Sequence, residues 1–342
     1  MHPLEKKIGK LLSGHELLVP EGPVVVGVSA GPDSMALLHL LAGLGRQLPL
    51  NITAIYVDHG LRPDETKAEA DLVKESAAKL EVGFELAKVD VAGGAEHQKK
   101  SLEHMARDLR YQAFDQVATR LGAAKIAVAH TADDQAEEII IRMLRGAGRG
   151  GFSGMKMVRD NRIVRPLLNT PKEELLAYLQ ARNIPFLEDS SNQDLRFLRN
   201  QVRLEILPFL EKYNPAIRST LRRSAAILQD EEDLLAREAA RCWQEVALVH
   251  GGEKDGLPRL SIDTAKLMAL HPALQRRVAE NMLLAMQARP DSRQIEQFIN
   301  LAKEGQGGAQ LHFGKGLRIK KLKGQLICTY PQGMGAGRGN LS

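Results

Sequence analysis

Between Val24 and Leu41 the chain reads VVVGVSAGPDSMALLHLL. The apolar, β-branched run of a buried strand stops at Ser29. After the short hinge SAGPDS an apolar pattern of helical period begins. A strand that turns tightly into a helix is half of a βαβ unit, and few folds admit it. The alternation repeats. Ile52–Val57 reads as a strand ending in DHG, and Glu65–Leu80 as a charged helix. Glu85–Val91 is a strand, Ser101–Leu121 a helix, Lys125–Ala129 a strand and Asp134–Leu144 a helix. This order predicts an α/β class fold, a doubly wound, mostly parallel sheet with helices on both faces. Ligands of such sheets bind outside the carboxyl ends of the strands, where Ser29, Asp58 and His130 all fall.

A glycine-rich segment, RGAGRGGFSGM, follows from Arg145 to Met155 and reads as a mobile loop or a backbone surface for a ligand. RIVRPLL reads as a strand. Pro171 opens a helix to about Ala181 with Thr170 as its cap. Polar residues then lead into a helix ending near Pro208, and NPAIR restarts the chain at Asn214. The expected division is a catalytic domain over 1–213 and a second domain over 214–330. The latter holds a helical linker to about Leu248 and a small α+β part with helices over His271–Met286 and Ser292–Lys303 and a terminal hairpin. The glycine-rich tail, 331–342, is expected to be disordered.

With 44% hydrophobic and 4% aromatic residues the core is aliphatic. Two cysteines, Cys242 and Cys328, with no CxxC pair, argue against a disulfide framework or a zinc site and fit a reducing compartment. The amphipathic start, Leu4–Leu18, lacks the apolar core of a signal peptide, and no run is long enough to span a membrane. A cytoplasmic protein is expected. Net charge is only +5, but basic residues cluster. Arg199, Arg203, Lys212, Arg218, Arg222 and Arg223 face two acids in their segment. Lys315, Arg318, Lys320, Lys321 and Lys323 face none. Such clusters suit a phosphate backbone, or simply a solvated face.

SAGPDS lacks the lysine of a Walker A loop and is not GxGxxG. It supplies a helix N-terminus, Pro32 at the first helical position, Gly31 for close approach and the hydroxyls of Ser29 and Ser34. Together these make an anion site. Asp33 would repel a phosphate unless Mg²⁺ lay between them. An ordinary strand–helix turn accounts for the same residues, since an acid near a helix start favours the dipole.

Glu103, Arg107 and Arg110 recur at helical spacing and share a face, as a surface ion pair or as arginines turned to a ligand. Thr131 and Asp134 have the spacing of a capping box, which leaves His130 and Asp133 unexplained. Imidazole and carboxylate at one strand end could place Mg²⁺ or move a proton. Arg142, Arg145 and Arg149 flank the glycine-rich segment, and Arg196, Arg199 and Arg203 gather with Asn200 at a helix start.

SAGPDS resembles the SGGxDS loop of the PP-loop ATP pyrophosphatases, with Ala30 in place of the first glycine. A φ below zero at Ala30 would make that change small. YVDHGLR (Tyr56–Arg62), LEHMARDLRYQAF (Leu102–Phe114), AHTADDQAEEIIIRMLRGAGRGGFSGM (Ala129–Met155) and EDSSNQDLRFLRNQVRLEILP (Glu188–Pro208) are similar, in order, to segments of the tRNA(Ile)-lysidine synthetases. Weaker similarity, in HPALQRRV and GLRIKK, extends to about residue 330.

The resemblance implies a Rossmann-like domain that uses ATP and Mg²⁺ to join free L-lysine to the wobble cytidine of tRNA(Ile) with a CAU anticodon. The cytosine carbonyl is adenylated, lysine's ε-amine attacks, and AMP and pyrophosphate leave. It implies catalytic roles for Asp33, His130, Asp133, Asp134 and Arg199. ATP binding falls to Ser29, Ala30, Gly31, Pro32, Asp33, Ser34, Asp58 and Arg107, and metal binding to Asp33 and Asp133. Glu103 and Glu138, with Asp58 as a further candidate, are expected near lysine. Arg145, Arg149, Arg196, Arg203, Arg222, Arg223, Lys320 and Lys321 are expected on tRNA. The apolar helical stripes suit a core or a homodimer interface equally. The alternatives are a tRNA thiolase, a small-molecule amide-forming synthetase and a non-catalytic ATP-binding module.

Overall fold

Val24, Val25 and Val26 cannot all face one side of a strand, and all three are buried. The strand they form must therefore be covered on both faces. In the computed structural model, which describes residues 2–14, 17–18, 22–45, 50–60, 63–98, 102–188, 193–250 and 259–330, it is. Strand β1 (Pro23–Gly27) lies between β2 (Asn51–Asp58) and β4 (Lys125–Ala127), with β3 (Gly83–Lys88) and β6 (Ile163–Val164) beyond them, all parallel. The order is β3-β2-β1-β4-β6-β5, and β5 (Val158–Arg159) is an antiparallel edge.

On one face pack α1 (Pro3–Gly14), α2 (Pro32–Leu44), α3 (Pro63–Lys79) and α8 (Lys172–Ala181). Their Ile8, Met35, Leu38, Val73 and Leu175 meet Val24 and Val26 in one apolar cluster. On the other face Ala113, Phe114, Val117 and Ala118 of α5 (Leu102–Arg120) meet Val25, Ile55 and Ile126. The expected α/β layering holds. The strands after Val128 are shorter than their apolar runs suggested. A short helix, α4 (Val91–Gln98), precedes α5 where no helix was expected. Gly93 and Gly94 weaken its helical signal, and the Asp90 carboxylate accepts the Gly93 N–H at 3.0 Å to start it.

Two further departures bear on the site. The glycine-rich segment contains one helical turn, α7 (Arg149–Phe152), after α6 (Ala132–Leu144). Its end is tied down. Buried Gln135 bonds both backbone groups of Met155, at 3.0 and 2.7 Å, and Gln229 bonds the Ser153 carbonyl at 2.6 Å. Pro208 does not end its helix either. From α9 (Leu198–Gln201) the chain makes a π turn over Val202–Ile206 and continues as α10 (Leu207–Glu211). Leu207 N–H reaches five residues back to the Val202 carbonyl, a wider spacing that accommodates the missing N–H of the next residue, Pro208.

The chain divides into compact units of residues 1–229 and 230–342, the division falling within α11 (Ile217–Val246). The second unit, taken by itself, has an antiparallel sheet. Its order is β7 (Ala247–His250), β8 (Arg259–Asp263), β11 (Gln325–Thr329), β10 (Arg318–Leu322), β9 (Gln310–His312). Its core gathers Phe298, Met282, Val278, Ile262, Ile319 and Leu326, from the sheet and from α13 (Pro272–Ala285) and α14 (Ser292–Glu304). The tail expected to be disordered lies outside the described residues. Among those described, no helix is long and apolar enough to cross a membrane.

Gly27 ends β1 against Phe114. A Cβ there would sit 2.6 Å from the ring Cζ. Gly27→Ala is expected to cost about 1–3 kcal/mol in urea denaturation, as overpacking does. The cost should shrink when combined with Phe114→Leu, a coupling that a double-mutant cycle reads directly.

Candidate active site

The loop after β1 is built as a cradle. Ser34 Oγ accepts the Ser29 N–H at 3.0 Å and donates to the Gly31 carbonyl at 3.0 Å. Gly31 caps α2 with its backbone alone, so no side chain satisfies the helix's first amides. Those amides and the dipole behind them favour an anion. Ala30 corrects the expectation of a φ below zero. Its φ is +59°, in the left-handed region, and the residue is fully buried. The conformation costs an L-residue about 1–2 kcal/mol. It is held in place by its carbonyl, which accepts the Leu187 N–H at 3.0 Å.

Asp33, in the first turn of α2, has a buried Oδ1 with no hydrogen-bond partner. Burial lifts its carboxyl to about 6. Asp134 and Asp133 push the same way, against Lys172 and Arg203. The loop therefore shares its electrostatic field with the start of α6, as the strand-end argument expected. An orphaned carboxylate oxygen fits a cation. Mg²⁺ takes few protein ligands and completes its shell with water and phosphate oxygens. Among the described residues no cluster of three or more His, Cys, Asp or Glu is arranged to hold a metal alone.

At the start of α6 the capping box is real. Asp134 Oδ2 accepts the Thr131 N–H at 2.8 Å, and Thr131 Oγ1 accepts the Asp134 N–H at 3.3 Å. The other Asp134 oxygen takes Arg199 at 2.7 Å. Burial works to raise the Asp134 carboxyl, but Arg199, the Thr131 N–H and Arg203 outweigh it and hold it below the ordinary carboxylate range. Asp133, expected on the metal, is otherwise engaged. Its Oδ2 accepts the Lys172 N–H at 2.9 Å, and its Oδ1 meets Arg218 at 3.2 Å. It thus caps α8, the role assigned in sequence to Thr170.

His130 follows β4, and its Nδ1 accepts the Arg165 Nε–H at 3.1 Å. Burial, reinforced by Arg165, Arg199 and Arg107 and opposed by Asp134, pushes the imidazole well below its ordinary pKa. It is neutral, with the proton on Nε2. In this state it donates a hydrogen bond rather than accepting a proton.

Two residues that sequence reasoning passed over are central. Glu137, 1% exposed, accepts Arg199 Nε at 2.9 Å and Arg203 Nε at 2.6 Å. Its spacing from Asp134 puts both on one face of α6, a signal present in the sequence. Arg165 is 2% exposed. Its only signal was a charge inside RIVRPLL, the run read as a strand.

The other expected residues scatter. Asp58 ends β2 beside an open cleft with Gly60, Lys88, Val89 and Asp90, and accepts the Gly60 N–H at 2.8 Å. Arg107 lies over the Tyr111 ring at 5.4 Å. Glu138 pairs with Arg142 at 2.7 Å, and Arg142 also holds the Gly154 carbonyl at 2.8 Å. Arg203, expected on RNA, is turned inward to Glu137. Exposed Arg145 ends α6, and Arg196 pairs with Asp194 at 2.6 Å on the surface. Arg222 and Arg223 lie one turn into α11, Arg223 exposed and within 3.5 Å of Thr220 Oγ1. In the second unit Lys320 and Lys321 face opposite sides of β10. Lys321 is spent on the Ala302 carbonyl at 2.6 Å, while Lys320 is exposed. The side chains of Glu103 and Arg149 lie outside the described residues.

Known protein families match the chain in two stretches. The PP-loop domain family matches residues 1–210, and the family described as the TilS substrate binding domain matches 262–326. A tRNA(Ile)-lysidine synthase from Symbiobacterium thermophilum is 34% identical over 94% of this chain and 68% of its own. One from Geobacter sulfurreducens is 40% identical over 76% of this chain and 55% of its own. One from Bacillus subtilis is 30% identical over 96% of this chain and 70% of its own. The chain thus spans about half to about two thirds of the length of these relatives. Among solved structures, a U34-tRNA thiolase from Methanococcus maripaludis with its [4Fe-4S] cluster superposes with a TM-score of 0.56. It is 20% identical over 66% of this chain and 78% of its own, a likeness of fold.

Asp33 generates a prediction with a definite sign. Its folded-state pKa, about 6, lies above the ordinary 3.8. The folded chain therefore holds this proton more tightly, and the carboxyl destabilises it as pH rises through that window. In ligand-free, chelator-treated protein near pH 7, Asp33→Asn is expected to be more stable by roughly 2–3 kcal/mol. The gain should vanish below about pH 4. Urea denaturation at both pH values measures it.

Proposed function

The chain belongs to the tRNA(Ile)-lysidine synthase family and carries its PP-loop, ATP-utilising domain, and from that membership we propose that it ligates free L-lysine to the wobble cytidine of tRNA(Ile) bearing a CAU anticodon. A ring carbonyl oxygen is a poor leaving group. Its attack on the α-phosphate of ATP releases pyrophosphate and makes it one. The lysine ε-amine then attacks the ring carbon and AMP departs. The observation that carries the reading is the orphaned Asp33 oxygen beside an uncapped helix N-terminus, a place for a cation and for phosphates at once.

Ser29–Ser34 hold the departing pyrophosphate through backbone amides and the Ser29 hydroxyl. Asp33 would hold Mg²⁺, which would supply charge neutralisation on the phosphates. Asp133 is removed from that role by Lys172 and Arg218. His130 offers Nε2–H to an oxyanion. Arg199 positions Asp134 and Glu137 and is itself held far above its ordinary pKa by them, so its charge is constant. Of the acids expected near lysine, Glu138 is committed to Arg142 at the edge of the glycine-rich segment. Asp134 and Glu137, one turn apart on the same face of α6, are a further pair of carboxylates that could draw an ammonium. Residues 1–213 carry the ATP chemistry. Arg145, Arg196, Arg222, Arg223 and Lys320 hold the RNA, the last three from the domain over 214–330. The reaction runs in the cytoplasm, where its three substrates meet. Thiolation is disfavoured by both cysteines. They lie in the second unit, and burial pushes the Cys328 thiol far up.

Incubation with labelled lysine, ATP, Mg²⁺ and unmodified CAU tRNA(Ile) is expected to place label in the RNA. Asp33→Ala should abolish this while the fold is kept. Absence of incorporation by well-folded protein, or full activity of the variant, would contradict the reading.

A further inference from the structure

Arg165 is a charge buried without a counter-charge among the described residues. Its Nε donates to the neutral ring of His130 at 3.1 Å and its Nη1 to the Lys156 carbonyl at 2.6 Å, and the Tyr111 hydroxyl completes its contacts. None of these partners is a carboxylate. Two more guanidiniums converge on the same phenol ring. Arg159 lies 4.5 Å from the Tyr111 centroid and Arg107 5.4 Å from it. Arg159 has a buried Nε with no hydrogen-bond partner, and its ion-pair partner is the neighbouring Asp160, at 3.4 Å and 83% exposed. Burial, together with Arg159 and Arg107, pulls the Arg165 pKa down, so the three cations oppose one another.

Uncompensated buried charge is among the costliest features a fold can carry, and it is kept where something arrives to neutralise it. We propose that Arg165, Arg159 and Arg107 form a second phosphoryl-binding site around Tyr111, at the strand end marked by His130 and apart from the Ser29–Ser34 loop. Guanidinium forks match the oxygens of a phosphate in geometry as well as charge. Two sources of that phosphate fit the reading above, on which this inference rests for its ligands. One is a phosphodiester of the bound tRNA beside the reacting nucleotide, and the other is the polyphosphate of ATP.

The test compares wild type with Arg159→Gln and Arg165→Lys, measuring affinity for Mg-ATP and, separately, for a CAU anticodon stem–loop RNA over a range of salt. Each variant is expected to weaken one ligand by about three- to tenfold. If that ligand is the RNA, Arg159→Gln should also lower the salt slope by about one. Loss on the RNA arm alone assigns a backbone phosphodiester, and loss on the ATP arm alone assigns the nucleotide. Unchanged affinity for both ligands in folded variants would overturn the proposal. Should Arg165→Lys fail to fold, Arg159→Gln, nearer the surface, decides. A wild type that binds RNA, and variants that lose it, with no lysidine formed, would support this site and sink the lysidine reading instead.

Discussion

One buried carboxylate, Glu137, holds the candidate site together. It accepts both Arg199 and Arg203, and Arg199 is shared with Asp134 in the capping box of α6. This joins the segment around the π turn to the helix that starts at the end of β4. Ion pairs of this kind add little net stability, since desolvation offsets attraction, but losing one partner strands the other in the interior. Their effect is geometric. They fix where positive charge sits relative to the loop after β1, and they leave Asp133 free to cap α8.

The features that weaken the fold gather at the carboxyl ends of strands in the first sheet. Ala30 is left-handed and buried, Asp33 is a raised carboxyl with an orphaned oxygen, and Arg165 is a buried cation with no anion among the described residues. None of them helps the chain fold. Each becomes favourable if a polyphosphate, a cation and a nucleic-acid backbone arrive together. Local violations at a functional site, compensated by an ordinary core elsewhere, are what such a site should look like.

The layered sheet was legible in the sequence because each strand and helix announces itself by apolar period, and Val24–Leu41 does so within one short stretch. The capping box at Thr131 and Asp134 was equally plain. Other features depended on partners distant in the chain. Asp133 looks like a free ligand until α8 folds onto it, and Arg203 looks like an RNA contact until Glu137 is placed. Lys321 looks like Lys320 until strand alternation separates them. Ala30 shows the limit of substitution logic. Alanine suggested a relaxed backbone, yet the turn keeps the left-handed φ a glycine would take, because the Leu187 bond and the strand–helix geometry fix it.

The central claim is that the cytosine carbonyl oxygen becomes the leaving group by capturing AMP. Heavy oxygen placed in the carbonyl of the wobble cytidine tests it most directly. After one turnover with lysine and ATP, mass spectrometry of the released AMP should show that oxygen on its phosphate. Unlabelled AMP, with lysine nonetheless joined to the RNA, would contradict the account.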